Sequence, residues 1–511
     1  MHLATSVPGD EAQNFCENGN RRVELMARPA HRPESFRAGQ IYDSIYGFIR
    51  LTKTEEEIIN SAFFQRLRWI KQLGFASYIF DGAEHTRFAH AVGVLHCADQ
   101  MVRAIGRGVP DAQLYSTKTT DANSMFHKSI RIAAMLHDIG TFPFSHSIEG
   151  SYIKYGESLR QRGELPGKQL PNNHEHLGSY LIKNTDFKGG ITRILKESGL
   201  DFTSLSKFIK GDSGNLVANQ ILHSDIDADR LDYLVRDAHH TGIKYGHIDK
   251  DYILYHLTTA FTDGKKEILA VRENAVHAVE DFLIARFAWY SQVIRNSSSA
   301  KFDILAAHIA SYLLKNNLIY HYHELLELAA KDPERFFGFN DVYFMSRIQD
   351  LYWSKRIPDP IVNEQMRMLI YRVPPKTIRL KESEHRILET GTGKNSPREE
   401  AVKKLNAKIQ EIQHLITKHG KGREWIIADV PSKDVIFTKD YASLMGTRKD
   451  RSQLYTERDP VKIVSKHGKI SLLVERENTL VSKLSRSINF IPNVYGNDAA
   501  YALLKARKIV E

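Results

Sequence analysis

The chain has 511 residues, 42% of them apolar and 26% charged, the balance of an ordinary folded protein with room for a large core and an appended lobe. Its two cysteines, Cys16 and Cys97, exclude a disulfide framework and a cysteine-rich zinc site; they fit a reducing compartment and leave any metal to histidines and carboxylates. The net charge of +10 is unevenly placed, because residues 376–511 hold 27 Lys and Arg against 17 Asp and Glu, which is the whole excess.

Residues 1–39 mix Pro, Gly, Asn and Arg without apolar periodicity and read as a flexible leader. They lack the basic and apolar stretches of a secretory signal, and no apolar run of about 18 residues occurs that could span a bilayer. A cytoplasmic location and no membrane partner are therefore expected. Residues 40–375 are predicted to be helical; Val92, Leu95, Ala98, Val102 and Ile105, for example, would form one apolar stripe. Polar stretches at 106–125 and 155–172 interrupt the pattern and predict surface loops that could border a site entrance. After Pro374 and Pro375, residues 376–511 read as a basic α+β lobe, with a charged helix around 398–418 and strands at 435–439 (VIFTK) and 469–475 (KISLLVE). Such a lobe could attract nucleic acid through its field, but a solvated mixed-charge surface explains the charge equally well, and nucleic acid is not the favoured partner. There is no internal repeat and no glycine-rich phosphate loop. The expected fold is mainly α, a helical core with a smaller C-terminal α+β lobe.

Histidine and aspartate concentrate in four segments: AEHTRFAHAVG (83–93), RIAAMLHDIGTFPFSH (131–146), NHEHLG (173–178) and HSDIDADRLDYLVRDAHH (223–240). In the second, an apolar helical run ends in His137 and Asp138, with Gly140 and Pro143 closing the helix behind them. In the fourth, Asp229, Tyr233 and Asp237 recur at i, i+4 and i+8 and share one helix face. An aspartate beside a histidine at the end of an apolar helix is costly to bury unless charge compensates. A divalent cation compensates directly, and two imidazoles with two carboxylates suit Mn, Fe or Zn better than Ca while leaving positions for water and a phosphate oxygen. A single histidine in a helix is more often a satisfied core residue than a ligand; the ordered set H, HD, D is the specific signal.

With IYDSIYGFIRL (41–51), FFQRLRWIKQLG (63–74), RFAHAVG (87–93), HDIGTFPFSH (137–146), HE (174–175) and DADRLDYLVRDAHHTGI (227–243) in this order, the chain resembles the HD superfamily. Within it, the chain is similar to the deoxynucleoside triphosphate triphosphohydrolases, vertebrate and bacterial. The resemblance implies that His90, His137, Asp138 and Asp229 hold a divalent metal (Mn, Fe, Zn or Mg). It implies that Arg87, Arg230, Tyr233 and Arg286 hold the triphosphate, guanidinium forks being suited to phosphate oxygens. It places His146 and His174 near the scissile phosphate with Glu149 orienting an imidazole. Gln72 and Asp237 would reach the 3′-hydroxyl, and Leu73 would crowd the 2′ position; the plainer reading of Leu73 is core packing in a helix spanning FQRLRWIKQLG. A homo-oligomer, dimer or tetramer, and a regulatory nucleotide contact at Arg272 are implied as well.

The chain departs from the family pattern at Thr141, where a histidine is common, at Arg230, where vertebrate members have lysine, and at Ile294, where they have a tyrosine against the sugar. The leading expectation is hydrolysis of a deoxynucleoside triphosphate to deoxynucleoside and triphosphate. Two alternatives stand beside it: an HD phosphohydrolase of another nucleotide (ribonucleotide, monophosphate or cyclic signal), and a nucleotide sensor without turnover.

Overall fold

Apolar residues fall on several faces of residues 87–104, and a helix that is apolar on several faces has to be covered on several faces. In the computed structural model, which describes residues 39–116, 121–164, 172–379, 397–429, 454–458, 460–481 and 493–510, the helix Arg87–Ala104 packs between Ala122–Leu136 and Ala228–Thr241. Val92, Leu95, Ala98 and Val102 are buried as the stripe predicts, and so are Phe88, Ala91, Val94, Cys97 and Met101. These three helices place His90, His137 and Asp229 at neighbouring ends.

The fold is mainly α. The predicted loop at 155–172 is corrected for its first part: the helix His146–Gln161 continues through residue 161, burying Ile148, Glu149, Ser151, Tyr152 and Gly156 on one face and leaving polar residues such as Lys154 and Glu157 exposed on the other. The stretch 106–125 contains a turn of helix at Asp111–Leu114, and Asp121 caps the next helix by accepting from the Asn123 and Ser124 amides. Residues 63–74 are not one helix. Ala62–Gln65 passes into the tighter turn Arg66–Trp69, and Leu73 precedes a second such turn, Gly74–Tyr78. Gly74 has φ +53°, and a Cβ there would lie 2.6 Å from Ser147 Oγ and 2.9 Å from Phe144 O, so the chain turns where only glycine fits.

The C-terminal region is the expected mixture of helix and strand. Pro397–His419 is the charged helix, and its Leu405, Ile409, Ile412 and Ile416 share a small core with Ile378, Ile426, Val494 and Leu504. The strands Lys376–Thr377, Asn493–Gly496 and Ile426–Asp429 form one sheet in that spatial order. The strand expected at 469–475 covers Ile470–Leu472 before tightening into a turn at Leu473–Glu475, and the one expected at 435–439 lies outside the described residues. The division at residue 375 is crossed by a second sheet. Its hairpin Leu257–Phe261 and Glu267–Arg272 pairs in parallel with Lys462–Val464, which pairs in turn with Ile470–Leu472. Ile463 and Leu473 accordingly belong to the main core. No helix among the described residues is long and apolar enough to cross a membrane.

Gly93 shows how closely the central helices meet. A Cβ at this position would lie 2.0 Å from Asp232 Oδ1 and 2.4 Å from Arg236 Nη2, two groups that form a buried ion pair. Gly93→Ala is expected to cost about 3–5 kcal/mol, the cost of disrupting a buried pair. Gly150→Ala, with nothing near its Cβ position, should be neutral or stabilise by about 0.5–1 kcal/mol. Urea unfolding of both variants checks this, and equal stabilities would refute it.

Candidate metal centre

His90 lies in the first turn of its helix, His137 caps the helix Ala122–Leu136, Asp138 follows in the turn, and Asp229 opens the helix Ala228–Thr241. His137 Nδ1 is 2.7 Å from the Ala134 carbonyl, to which it donates, leaving Nε2 at 3.3 Å from Asp138 Oδ2 and 3.7 Å from Asp229 Oδ1. His90 Nε2 stands 3.0 Å from Asp229 Oδ1 and 3.9 Å from Asp138 Oδ2. The donor atoms of His90, His137 and Asp138 all fall within 4.8 Å of one another. His90 Nε2 is buried and has no partner in hydrogen-bonding geometry. Such a nitrogen is costly unless charge compensates, and its convergence with two carboxylates and a second imidazole fits a divalent cation. Burial pushes the His90 imidazole down, but the Asp229 and Asp232 carboxylates outweigh it and raise it to about 9. Burial acts upward on Asp138, yet His137 and Arg87 hold its carboxyl well below the usual range.

The other nitrogen of His90 is fixed from behind. Nδ1 sits 2.8 Å from Asp232 Oδ2, Asp232 accepts two bonds of 2.9 Å from Arg236, and Arg236 Nη1 reaches Asp43 Oδ2 at 3.0 Å. A carboxylate on the far nitrogen sets the tautomer and orientation of an imidazole. The sequence reading missed Asp232, although its place three residues after Asp229 and four before Arg236 was a usable signal; nothing local marks Asp43.

A second cluster lies alongside. Glu149 joins both histidines, with Oε2 at 2.8 Å from His146 Nδ1 and Oε1 at 2.6 Å from His174 Nδ1, and it also accepts from the His174 amide. Burial acts downward on His174, but Glu149 and then Asp138 outweigh it and raise the imidazole above its ordinary value. The two histidines pull Glu149 well below its own range against the effect of burial. Gly140 permits this arrangement, since a Cβ there would lie 2.2 Å from His174 O and 2.3 Å from the Gly178 nitrogen.

The segment between the clusters is gripped by buried charge. Arg66 donates to the Ile139, Thr141 and Phe339 carbonyls, and Asp341 accepts from the Phe144 and Lys71 amides. Phe144 and Ser145 have φ of +52° and +57°, strain that persists only where surroundings enforce it. Thr141 is buried and its hydroxyl has no hydrogen-bond partner, so the departure at this position faces the interior. Arg66 and Asp341 also escaped the sequence reading.

The remaining candidates are distributed as follows. Arg87 donates to Asp138 and to Ser145 Oγ. Arg230 Nη1 meets Asp227 at 3.1 Å, and Arg286 Nη1 meets Asp225 at 2.8 Å. Tyr233 stacks on Trp289 at 4.3 Å. Asp237 is fully buried with one oxygen 2.8 Å from His85 Nε2 and the other accepting from Trp289 Nε1, so both oxygens are already engaged. Gln72 is buried with its amide oxygen unpartnered. Leu73, outside any helix and half-buried, borders a cavity together with Gln72, His146 and Ile294. Arg272 is exposed at the end of its strand, aligned with Val464, and belongs to neither cluster.

Residues 87–237 match the family model of the HD domain, the span that carries all four converging side chains, and the chain therefore carries an HD domain. Among curated proteins it is similar to an uncharacterized protein of Methanocaldococcus jannaschii, 32% identical over 317 residues covering 62% of this chain and 57% of that one. It is also similar to the deoxynucleoside triphosphate triphosphohydrolase SAMHD1 of Homo sapiens, 24% identical over 431 residues covering 79% of this chain and 62% of that one. The chain thus spans less than two thirds of either relative. A crystal structure of a phosphohydrolase from Bacteroides thetaiotaomicron shares the fold, with a TM-score of 0.60 at 20% identity over 89% of this chain and 98% of that one.

Replacing Glu149 with Gln should lower the titration midpoint of His174, because the carboxylate supplies the leading upward effect on that imidazole. In the unmodified chain the raised His174 contributes stability that is full below the ordinary imidazole value, about 6.5, and is lost as pH rises through the higher folded value. Glu149→Gln should remove that pH dependence. Histidine NMR titration and thermal melts across this window check it; an unmoved midpoint would refute it.

Proposed function

We propose that the chain is a metal-dependent phosphohydrolase of deoxynucleoside triphosphates that releases deoxynucleoside and triphosphate, with His90, His137, Asp138 and Asp229 holding the metal. The observation that supports this is the buried His90 Nε2, 3.0 Å from Asp229 Oδ1 but outside good hydrogen-bond geometry, converging with a second imidazole and the Asp138 carboxylate. A divalent cation held there would supply the charge that acidifies water and neutralises phosphate oxygens. The new bond forms between water oxygen and the α-phosphorus, and the bond to O5′ breaks, so the departing deoxynucleoside needs a proton. His174, its Nδ1 fixed by Glu149 and its imidazole biased toward the charged form, supplies that proton from Nε2, with His146 sharing the same carboxylate. Arg87, Arg230 and Arg286 furnish guanidinium forks for the triphosphate and Tyr233 a hydroxyl. By the same likeness the chain assembles as a homo-oligomer regulated by nucleotide.

A panel of deoxyribo- and ribonucleoside triphosphates with Mn and Mg, resolved for nucleoside, inorganic triphosphate and single phosphate, tests the reaction. Free triphosphate is the expected product; single phosphate would favour the reading as a phosphohydrolase of another nucleotide, and tight binding without turnover the sensor. His137→Ala and Asp138→Ala should each lose bound metal and reduce kcat/KM by about 10²-fold or more, since ligand loss is local and the helical fold persists. Full activity in either folded, metal-free variant would sink the assignment.

We assign sugar selection to Gln72, Leu73 and Asp237. Gln72 Oε1 is an unpartnered acceptor for a 3′-hydroxyl, and each Asp237 oxygen accepts one bond and keeps a second lone pair; Leu73 forms the aliphatic wall beside Gln72. A 2′-hydroxyl pressed against that wall loses water without gaining a partner, worth about tenfold or more in specificity. Leu73→Ala should lower the kcat/KM ratio of dATP to ATP by about that factor; an unchanged ratio would move sugar discrimination elsewhere.

A further inference from the structure

Beyond Gln72, Leu73 and His146 the cleft widens into a cavity of about 1250 Å³, and part of its wall is the helix Pro397–His419 from the C-terminal region. That helix has two faces. Leu405, Ile409, Ile412 and Ile416 are buried in the lobe core, while Lys403, Asn406, Ala407 and Gln410, spaced i, i+3, i+4 and i+7, line the cavity. This polar face is exposed and looks across an open cleft toward the helices His146–Gln161 and Ser297–Lys315. Its position is tied down from several sides. Arg295 pairs with Asp429 at 3.0 Å, Glu364 accepts from Trp425 Nε1 at 2.7 Å and from Asn497 Nδ2 at 2.9 Å, and Tyr495 donates to the Ser297 carbonyl.

The lining suits a flat, neutral, hydrogen-bonding group better than a phosphate chain. Leu73, Val293, Ile294 and Ile304 give it apolar walls, its Arg295 already faces Asp429, and Ser147 donates to Asp303 at 2.6 Å, while its two lysines, Lys154 and Lys403, are exposed. Asn406 and Gln410 carry amides that both donate and accept, the side chains that pair two-pronged with the edge of a base, and Ala407 between them leaves space for a ring. We propose that this cavity receives the nucleobase of the substrate and that Asn406 and Gln410 read its edge, so that the C-terminal region sets base selectivity for a phosphate site built by the HD domain. This rests on the nucleotide reading above.

The test uses the full chain, loaded with Mn. Asn406→Ala and Gln410→Ala, alone and together, should change the ratios of kcat/KM among the four deoxynucleoside triphosphates by about tenfold or more, with bound metal unchanged. Ala407→Phe, which places a ring in the space between Asn406 and Gln410, should weaken all four. Lys418→Ala, exposed on the same helix outside the cavity, should alter nothing. Binding of the four deoxynucleoside 5′-α-thiotriphosphates by calorimetry reads the same ratios without turnover, so that absent hydrolysis by the unmodified chain would overturn the proposed reaction and leave base selectivity measurable. Unchanged ratios in the amide variants, no effect of Ala407→Phe, equal shifts from Lys418→Ala, or no binding of any analogue would overturn the proposal.

Discussion

The imidazole of His90 is wholly buried, and what its two nitrogens meet constrains the packing of much of the HD domain. Nδ1 is held by Asp232, which brings the helices Arg87–Ala104 and Ala228–Thr241 to a fixed distance, and Asp232 needs Arg236, which in turn needs Asp43 from the hairpin of strands Gln40–Asp43 and Gly47–Arg50. Each charge in this series is tolerable out of water only because the next one answers it. The helices therefore have to approach so closely that Gly93 is the sole side chain size the contact admits. Nε2 then faces the converging acids, 3.0 Å from Asp229 Oδ1. Rigidity on one side of the ring serves ligand placement on the other, since a metal site loses affinity when its ligands can turn.

The turn after His137 and Asp138 is supported by the same physics with different groups. Arg66 neutralises a cluster of carbonyl dipoles, Asp341 answers two amides, and between them the backbone holds two consecutive non-glycine residues at positive φ. The strain is local, and the groups that enforce it come from segments distant in sequence, one before the HD helix and one near residue 341. The two histidine clusters are thus spaced by a backbone that cannot relax without breaking buried hydrogen bonds, a cost of about 1–3 kcal/mol for each group left unmade.

What the sequence made legible was whatever is written locally. Helical periodicity, the His137 and Asp138 helix end, the shared face of the helix carrying Asp229, and the C-terminal mixture of helix and strand all follow from patterns within a few turns. The loop assigned to 155–172 was misread at its start because a helix with one buried face shows polar residues over most of its surface. The hairpin Leu257–Phe261 and Glu267–Arg272 passed unread within a helical region although Asp263-Gly264 between its strands is a local hairpin signal; only its pairing with Lys462–Val464 leaves no local pattern. Asp43, Arg66 and Asp341 were invisible for the same reason: each acts on backbone or charge far along the chain.

That parallel pairing of Val271 with Ile463 and Arg272 with Val464 also bears on how the chain is made. During synthesis the helical region emerges first, and the strand Glu267–Arg272 must wait for the strand Lys462–Val464, far along the chain, before its outer edge is covered. An uncovered strand edge is a template for joining other chains, and contacts between distant residues form late and slowly. Newly made molecules should accordingly pass through a stage in which the HD domain is largely assembled but sticky along one border, and yield on expression should depend on how quickly the last strands arrive.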